Sequence, residues 1–239
     1  MRLFCVPHSG AGAAVYRPWD PLLPGDVELV SLRLPGREAR FREPAFSSLE
    51  DLVPELVDDL TPLLDVPYGW FGHSGGALVA FEACREIRRR GLPEPARLAV
   101  SSRPAPHLAA PSVSVLGLPE GTSVRDATDA ELAALVAALN GAPGEARGGT
   151  AAFAPFVRTL RADLSFVEAY EYRPEPPLDL PISVFGGEQD PAASPDGLRA
   201  WHAHSSVGCT VQAFPGGHFF LHQARERFVA ALVRALLKT

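Results

Sequence analysis

Residues 68–80 read Tyr68-Gly69-Trp70-Phe71-Gly72-His73-Ser74-Gly75-Gly76-Ala77-Leu78-Val79-Ala80. An apolar run over 68–71 meets a G-x-S-x-G turn, and an amphipathic pattern follows over 77–90. That order describes a buried strand turning sharply into a helix with a serine at the corner. The glycines have a physical task there, because so tight a turn brings neighbouring chain too close for side chains. The helix should end at Arg88-Arg89-Arg90-Gly91, with cations where its dipole favours them and a glycine where it stops.

Outward from this unit the chain alternates. Residues 2–6 form a short apolar run that stops at Pro7 and the small-residue loop Ser9-Gly10-Ala11-Gly12-Ala13. A second run, 27–32, leads to Leu34-Pro35-Gly36-Arg37, and 49–64 repeats Leu49, Leu52, Val53, Leu56, Leu60 and Leu63 at helical spacing. Residues 97–101, 182–185 and 210–214 are further strand candidates. Strands alternating with helices predict a mostly parallel central sheet covered on both faces.

The alternation breaks over 104–177, where two helices are predicted and no strand. The first opens on Thr128 with Glu131 as its capping-box partner, presents Leu132, Leu135, Val136 and Leu139, and ends at Asn140-Gly141. The second carries Phe153, Phe156, Val157, Leu160, Leu164 and Val167 and cannot pass Pro174. Between them, 141–149 is rich in Gly, Ala and Pro. A helical insertion between two parallel strands is placed to cover the C-terminal strand ends, where such sheets bind ligands, and it reads as a lid. A helical layer without a gating role is the other reading.

Composition narrows the partners. The 239 residues are 46% hydrophobic and 21% charged with a formal charge of −6, which suits one domain spanning 1–239 and argues against a nucleic-acid partner. Apolar stretches fall short of a membrane span, and the start lacks a signal peptide's apolar core, so a cytoplasmic, non-membrane protein is expected. Cys5, Cys84 and Cys209 are odd in number and lack metal-ligand spacing; neither a disulfide framework nor a cysteine metal site is expected.

A serine hydroxyl at such a turn is a weak nucleophile until a histidine takes its proton and a carboxylate orients that histidine. His218 follows Phe214-Pro215-Gly216-Gly217, in the loop leaving the last strand, and is the candidate base. His73 is assigned to packing against the sheet; His107, His202, His204 and His222 to surface or partly packed positions. The strand at 182–185 runs into Gly186-Gly187-Glu188-Gln189-Asp190-Pro191. Asp190 is the preferred acid and Glu188 its competitor. Backbone N–H groups of Gly75, at the helix start, and of Ser9, in the first loop, are the candidate donors to an oxyanion. The first loop lacks G-x-G-x-x-G, which ranks a nucleotide fold low.

Six blocks taken together carry a resemblance: Phe4-Cys5-Val6-Pro7-His8-Ser9-Gly10-Ala11-Gly12, Leu34-Pro35-Gly36-Arg37-Glu38-Ala39-Arg40-Phe41, residues 71–82, Leu160-Arg161-Ala162-Asp163, residues 186–191, and Gly216-Gly217-His218-Phe219-Phe220. In this order they resemble the type II thioesterases of polyketide and nonribosomal peptide assembly lines. The resemblance implies an α/β-hydrolase fold with a helical lid, no cofactor or metal, and hydrolysis of acyl thioesters on the phosphopantetheine arm of an acyl or peptidyl carrier protein. It carries nucleophile, acid and base onto Ser74, Asp190 and His218. The sequence departs from the family's usual methionine at Gly75 and usual alanine at Ser9, which leaves acyl preference open. Two alternatives stand: an esterase or lipase acting on free small-molecule esters, and a catalytically silent carrier- or ligand-binding protein.

A monomer is expected. Because carrier proteins are usually acidic, a chain of charge −6 should meet one through a local patch. Phe153, Phe156, Leu160, Leu132 and Leu135 are the expected acyl-binding residues, and Arg33, Arg37, Arg40 and Arg42 the candidate docking cluster. Arg85, Arg88, Arg89 and Arg90 are assigned to the helix dipole, at the end away from Ser74.

Overall fold

Alternate side chains of Leu3-Phe4-Cys5-Val6 enter two different cores, the period-2 signature of a strand buried on both faces. The computed structural model describes residues 1–108, 122–139 and 150–237, leaving aside the side chains of 150–155. Its six strands, β1 (Arg2–Val6), β2 (Glu28–Ser31), β3 (Tyr68–His73), β4 (Arg97–Ser101), β5 (Ile182–Gly187) and β6 (Cys209–Phe214), form one sheet in the order β2-β1-β3-β4-β5-β6. Every pairing is parallel, with Phe4 opposite Val30 and Trp70 and, further along, Phe71 opposite Ala99. All strands therefore deliver their C-terminal loops to one edge.

One face of the sheet packs Phe4, Trp70, Leu98 and Val184 against α1 (Leu49–Leu60) and α2 (Gly75–Arg89). Ser48 caps α1, its hydroxyl accepting from the Asp51 N–H, and Leu49, Leu52, Val53, Leu56 and Leu60 point inward as their spacing requires. The opposite face buries Leu3, Cys5, Phe71 and Phe185 beneath Trp19, Phe228 and Leu232. Phe228 and Leu232 belong to α7 (Arg225–Leu237), and Trp19 to a 3-10 segment, Ala13–Leu22, that the periodicity did not reveal. Two prolines and three-residue turns give that segment no 3.6-residue pattern.

Between β4 and β5 come α3 (Asp129–Ala138) and α4 (Thr150–Glu168). The capping box at α3 forms as expected, the Thr128 hydroxyl accepting from the Glu131 N–H while the Glu131 carboxylate accepts from Thr128, a pairing worth about 1 kcal/mol. The expected end of α3 at Asn140-Gly141 and the joint at 141–149 lie outside the described residues. Leu132, Leu135, Val136, Leu139, Phe156, Val157 and Leu160 cluster with Ala192 and Phe219, so the two helices sit on the loops that follow β5 and β6. Two short helices, α5 (Pro195–Arg199) and α6 (Phe220–Gln223), complete that edge.

Candidate active site

Ser74 is held at φ 55°, ψ −119°, a left-handed conformation that side-chain-bearing residues rarely adopt. It caps the N-terminus of α2, and its N–H donates to the Ser101 carbonyl of β4 at 2.8 Å. The flanking glycines are obligatory. A Cβ on Gly72 would lie 2.2 Å from the Gly76 carbonyl oxygen, and one on Gly76 would lie 2.4 Å from that of Val6. The motif thus presses helix onto strand closely enough to lift the serine out of both.

His218 and Asp190 arrive from the next two loops. The imidazole Nδ1–H donates to both Asp190 carboxylate oxygens, at 2.9 and 3.0 Å, and both residues are buried. Asp190 Oδ1 also accepts from the Ala192 N–H at 2.9 Å, which fixes the carboxylate's orientation. The two loops are tied together: the Gln189 N–H donates to the Gly216 carbonyl, and the Gly216 N–H donates to Gln189 Oε1. The Ser102 hydroxyl donates to the His218 carbonyl at 3.1 Å. Glu188, one turn position away, is exposed, and its N–H only continues the strand pairing to Phe214.

Around Ser74 lies a small cavity of about 30 Å³, lined by His8, Ser9, Ser74, His218 and Phe219 from the strand loops and by Leu135, Val136, Leu139, Phe156, Leu160 and Leu164 from α3 and α4. The candidate base and nucleophile share this wall. Of the expected acyl-binding residues, Leu135, Phe156 and Leu160 line it; Leu132 is buried in the packing between the two helices instead, and the Phe153 side chain lies outside the described residues. Val136, Leu139 and Leu164 were legible as helix faces but not as cavity wall. His8 and Phe219 were missed, although each adjoins a residue already singled out.

Histidines crowd the cavity floor. Burial, with the neighbouring His222, His218 and Arg37, holds His8 down at about 3, and burial likewise holds His73 well below its ordinary value. Both are neutral near pH 7. His73 is fully buried with its Nδ1 2.6 Å from the Ser101 hydroxyl, the packing role expected of it. Neither Ser9 nor Gly75 donates its N–H to another backbone group among the described residues. Two unpaired donors therefore stand beside the serine.

Of the expected docking cluster, Arg37 is taken out by burial. Arg37 is buried, its guanidinium forming a two-pronged ion pair with Asp163 of α4 at 2.7 and 2.8 Å and donating to the Ala11 carbonyl at 2.8 Å. The same Asp163 accepts from the Gly10 N–H at 2.8 Å. Arg37 thus fastens the first loop to α4. Arg33 pairs with Glu38, Arg40 with Glu43, and the exposed Arg42 stacks over Phe41. Among the described residues no cluster of metal-ligating side chains occurs and no helix is long and apolar enough to cross a membrane.

Comparison with known proteins adds relatives to this geometry. A family model described as "Thioesterase domain" matches residues 1–237. Gramicidin S biosynthesis protein GrsT of Aneurinibacillus migulanus is 31% identical over 236 residues, covering 99% of this chain and 89% of that protein. Among solved structures, the RedJ thioesterase from the prodiginine biosynthetic pathway in Streptomyces coelicolor superposes with a TM-score of 0.89 at 35% identity, covering 98% of this chain and 85% of that one. The type II thioesterase BorB from the borrelidin biosynthetic cluster gives a TM-score of 0.86 at 31% identity, with 98% and 92% covered.

Proposed function

Since the chain belongs to the thioesterase domain family and is a serine thioesterase of α/β-hydrolase fold related to the type II enzymes of polyketide and nonribosomal peptide pathways, we propose that it hydrolyses acyl groups from the phosphopantetheine arm of a carrier protein, with Ser74, His218 and Asp190 as its triad. The observation that carries this reading is one wall of one cavity: a strained serine at a helix N-terminus beside a buried histidine that a buried carboxylate orients.

The chemistry follows from that wall. Ser74 Oγ attacks the thioester carbonyl carbon while His218 Nε2 accepts its proton. Asp190 holds the imidazole in the tautomer that leaves Nε2 free, and stabilises the imidazolium that forms. The oxyanion meets the N–H groups of Ser9 and Gly75, the latter aided by the positive end of α2. As the C–S bond breaks, His218 returns the proton to the leaving thiolate. Water then attacks the acyl-enzyme carbonyl with His218 again as base; the bond to Ser74 Oγ breaks, His218 returns the proton to that oxygen, and the free acid departs.

The apolar helices set the substrate. Leu135, Val136, Leu139, Phe156, Leu160 and Leu164 offer no polar partner, so the pocket favours simple alkyl chains over heavily hydroxylated ones. Because α3 and α4 wall the cavity around Ser74, an acyl chain enters beneath them, which supports the lid role proposed for the pair. The test is release of free acid from a panel of acylated carrier proteins by the parent and by Ser74→Ala. The reading requires the parent to act and the variant to fail; faster turnover of simple aryl esters than of any acylated carrier would favour a free-ester hydrolase instead.

A further inference from the structure

The first loop holds a polar atom that the backbone chemistry above does not use. The Ser9 hydroxyl oxygen is buried and has no hydrogen-bond partner among the described residues, although most buried side-chain oxygens find one. An unpaired buried hydroxyl works against the folded state, so its retention calls for an explanation. Its position supplies one. A Cβ placed on Gly75 would lie 2.5 Å from Ser9 Oγ and 3.7 Å from Ser9 Cβ, so the hydroxyl points from its own backbone toward Gly75. Gly75 lacks a side chain in just the space the hydroxyl occupies.

Ser9, Ser74 and His218 line the same cavity, and Gly75, next to the nucleophile, opens α2. We propose that the Ser9 hydroxyl is a third oxyanion donor, bonding the negative oxygen that appears when Ser74 adds to the acyl carbonyl. The hydroxyl gives a hydrogen bond and keeps its proton, so no further group is needed to balance the step. Charge appears on that oxygen only as the carbonyl carbon becomes tetrahedral; a donor without a partner in the resting protein gains one at that moment, and the gain falls on kcat. Directed instead at Ser74 Oγ, the hydroxyl would weaken the nucleophile. This assignment rests on Ser74 as nucleophile.

Ser9→Ala separates the roles. A third donor predicts a fall in kcat on the order of 10- to 100-fold with KM within about twofold, a matching loss of affinity for an alkyl boronic acid that forms a tetrahedral adduct with serine, and an unchanged or higher Tm. Full kcat, a raised KM at unchanged kcat, or a Tm that falls together with activity would each overturn it. Intact-mass detection of fluorophosphonate on Ser74 of the parent keeps the two readings apart. A labelled parent with a fully active Ser9→Ala removes the third donor alone, whereas an unlabelled parent whose Ser74→Ala variant hydrolyses normally removes the triad as well.

Discussion

The two ends of α2 follow opposite rules. At its C-terminus every arginine is saturated: Arg85 pairs with Glu82 and Glu175, Arg88 with Glu175, Arg89 with Glu86 and Glu175, and Arg90 with Glu86 and Asp58. At its N-terminus the chain tolerates a left-handed serine, two backbone donors without backbone acceptors, and unpartnered polar atoms on His8, Ser9 and His73. A polar group already satisfied by its neighbours has little left to offer a ligand. The charged end draws the eye in sequence, but the unsatisfied end has the capacity for chemistry.

The strongest way to break this contrast is to disarm the N-terminal end. Ser74→Ala and His218→Ala should each lower the hydrolysis rate on the order of 10³-fold or more while the far-ultraviolet circular dichroism and Tm stay near the parent's. Asp190→Asn should lose less, because the imidazole stays in place while its orientation and charge partner weaken. A wild-type rate in Asp190→Asn together with a loss of activity in Glu188→Gln would transfer the acid role to the exposed neighbour.

Next comes Arg37. Removing it leaves Asp163 buried with only the Gly10 N–H, and breaking a buried pair in this way costs about 3–5 kcal/mol. Arg37→Ala should lower Tm and also lower kcat, since the loop it fastens carries the Ser9 amide. Carrier-bound and small acyl-thiol substrates should suffer equally. A loss confined to carrier protein would restore the docking role that the buried geometry removes.

The two ends should also fail at different acidities. His8 and His73 are held neutral by burial, His8 at about 3 against an ordinary 6.5. The unfolded chain then binds more protons than the folded one below pH 6.5, so the stability present above that value declines as pH falls from 6.5 toward 3. At the other end, burial opposes ionisation of Glu86 and Glu175, yet the surrounding arginines outweigh it and hold both carboxyls below 4.5. Their contribution is intact above 4.5 and lost below it. Thermal melts between pH 7 and 5 should therefore show a decline that His8→Asn reduces. A flat Tm over that interval would mean the histidines do not titrate as buried groups.

How far these features were legible depends on where the partner lay. The serine turn was readable because Gly72 is demanded by contacts within the turn itself, although Gly76 answers to Val6 and Pro7 at the end of the neighbouring strand. Glu188 and Asp190 share one turn, and only burial against His218 distinguishes them physically. Arg37 looked like surface because its partner lies 126 residues away, on α4. Leu132 and Leu135 share an apolar face, and periodicity says which side is buried without saying which residue meets the cavity. The unpaired Ser9 hydroxyl is a property of three converging elements and has no counterpart in the local sequence.

The smallest effect belongs to the saturated end. Arg89 is nearly half exposed, and it shares Glu86 with Arg90 and Glu175 with Arg85 and Arg88, so its removal leaves both carboxylates paired. Exposed pairs of this kind contribute roughly 0.2–1 kcal/mol, which salt reduces further. Arg89→Ala should shift Tm by a few degrees at most and leave kcat and KM for acylated carrier protein unchanged. Helix α2 is buried along most of its length from Gly75 to Ile87, and the whole helix separates these exposed, solvent-screened charges from the nucleophile. A variant that keeps its Tm but raises KM for the carrier-bound substrate alone would make this end a docking surface, and the division of labour between the two ends would no longer hold.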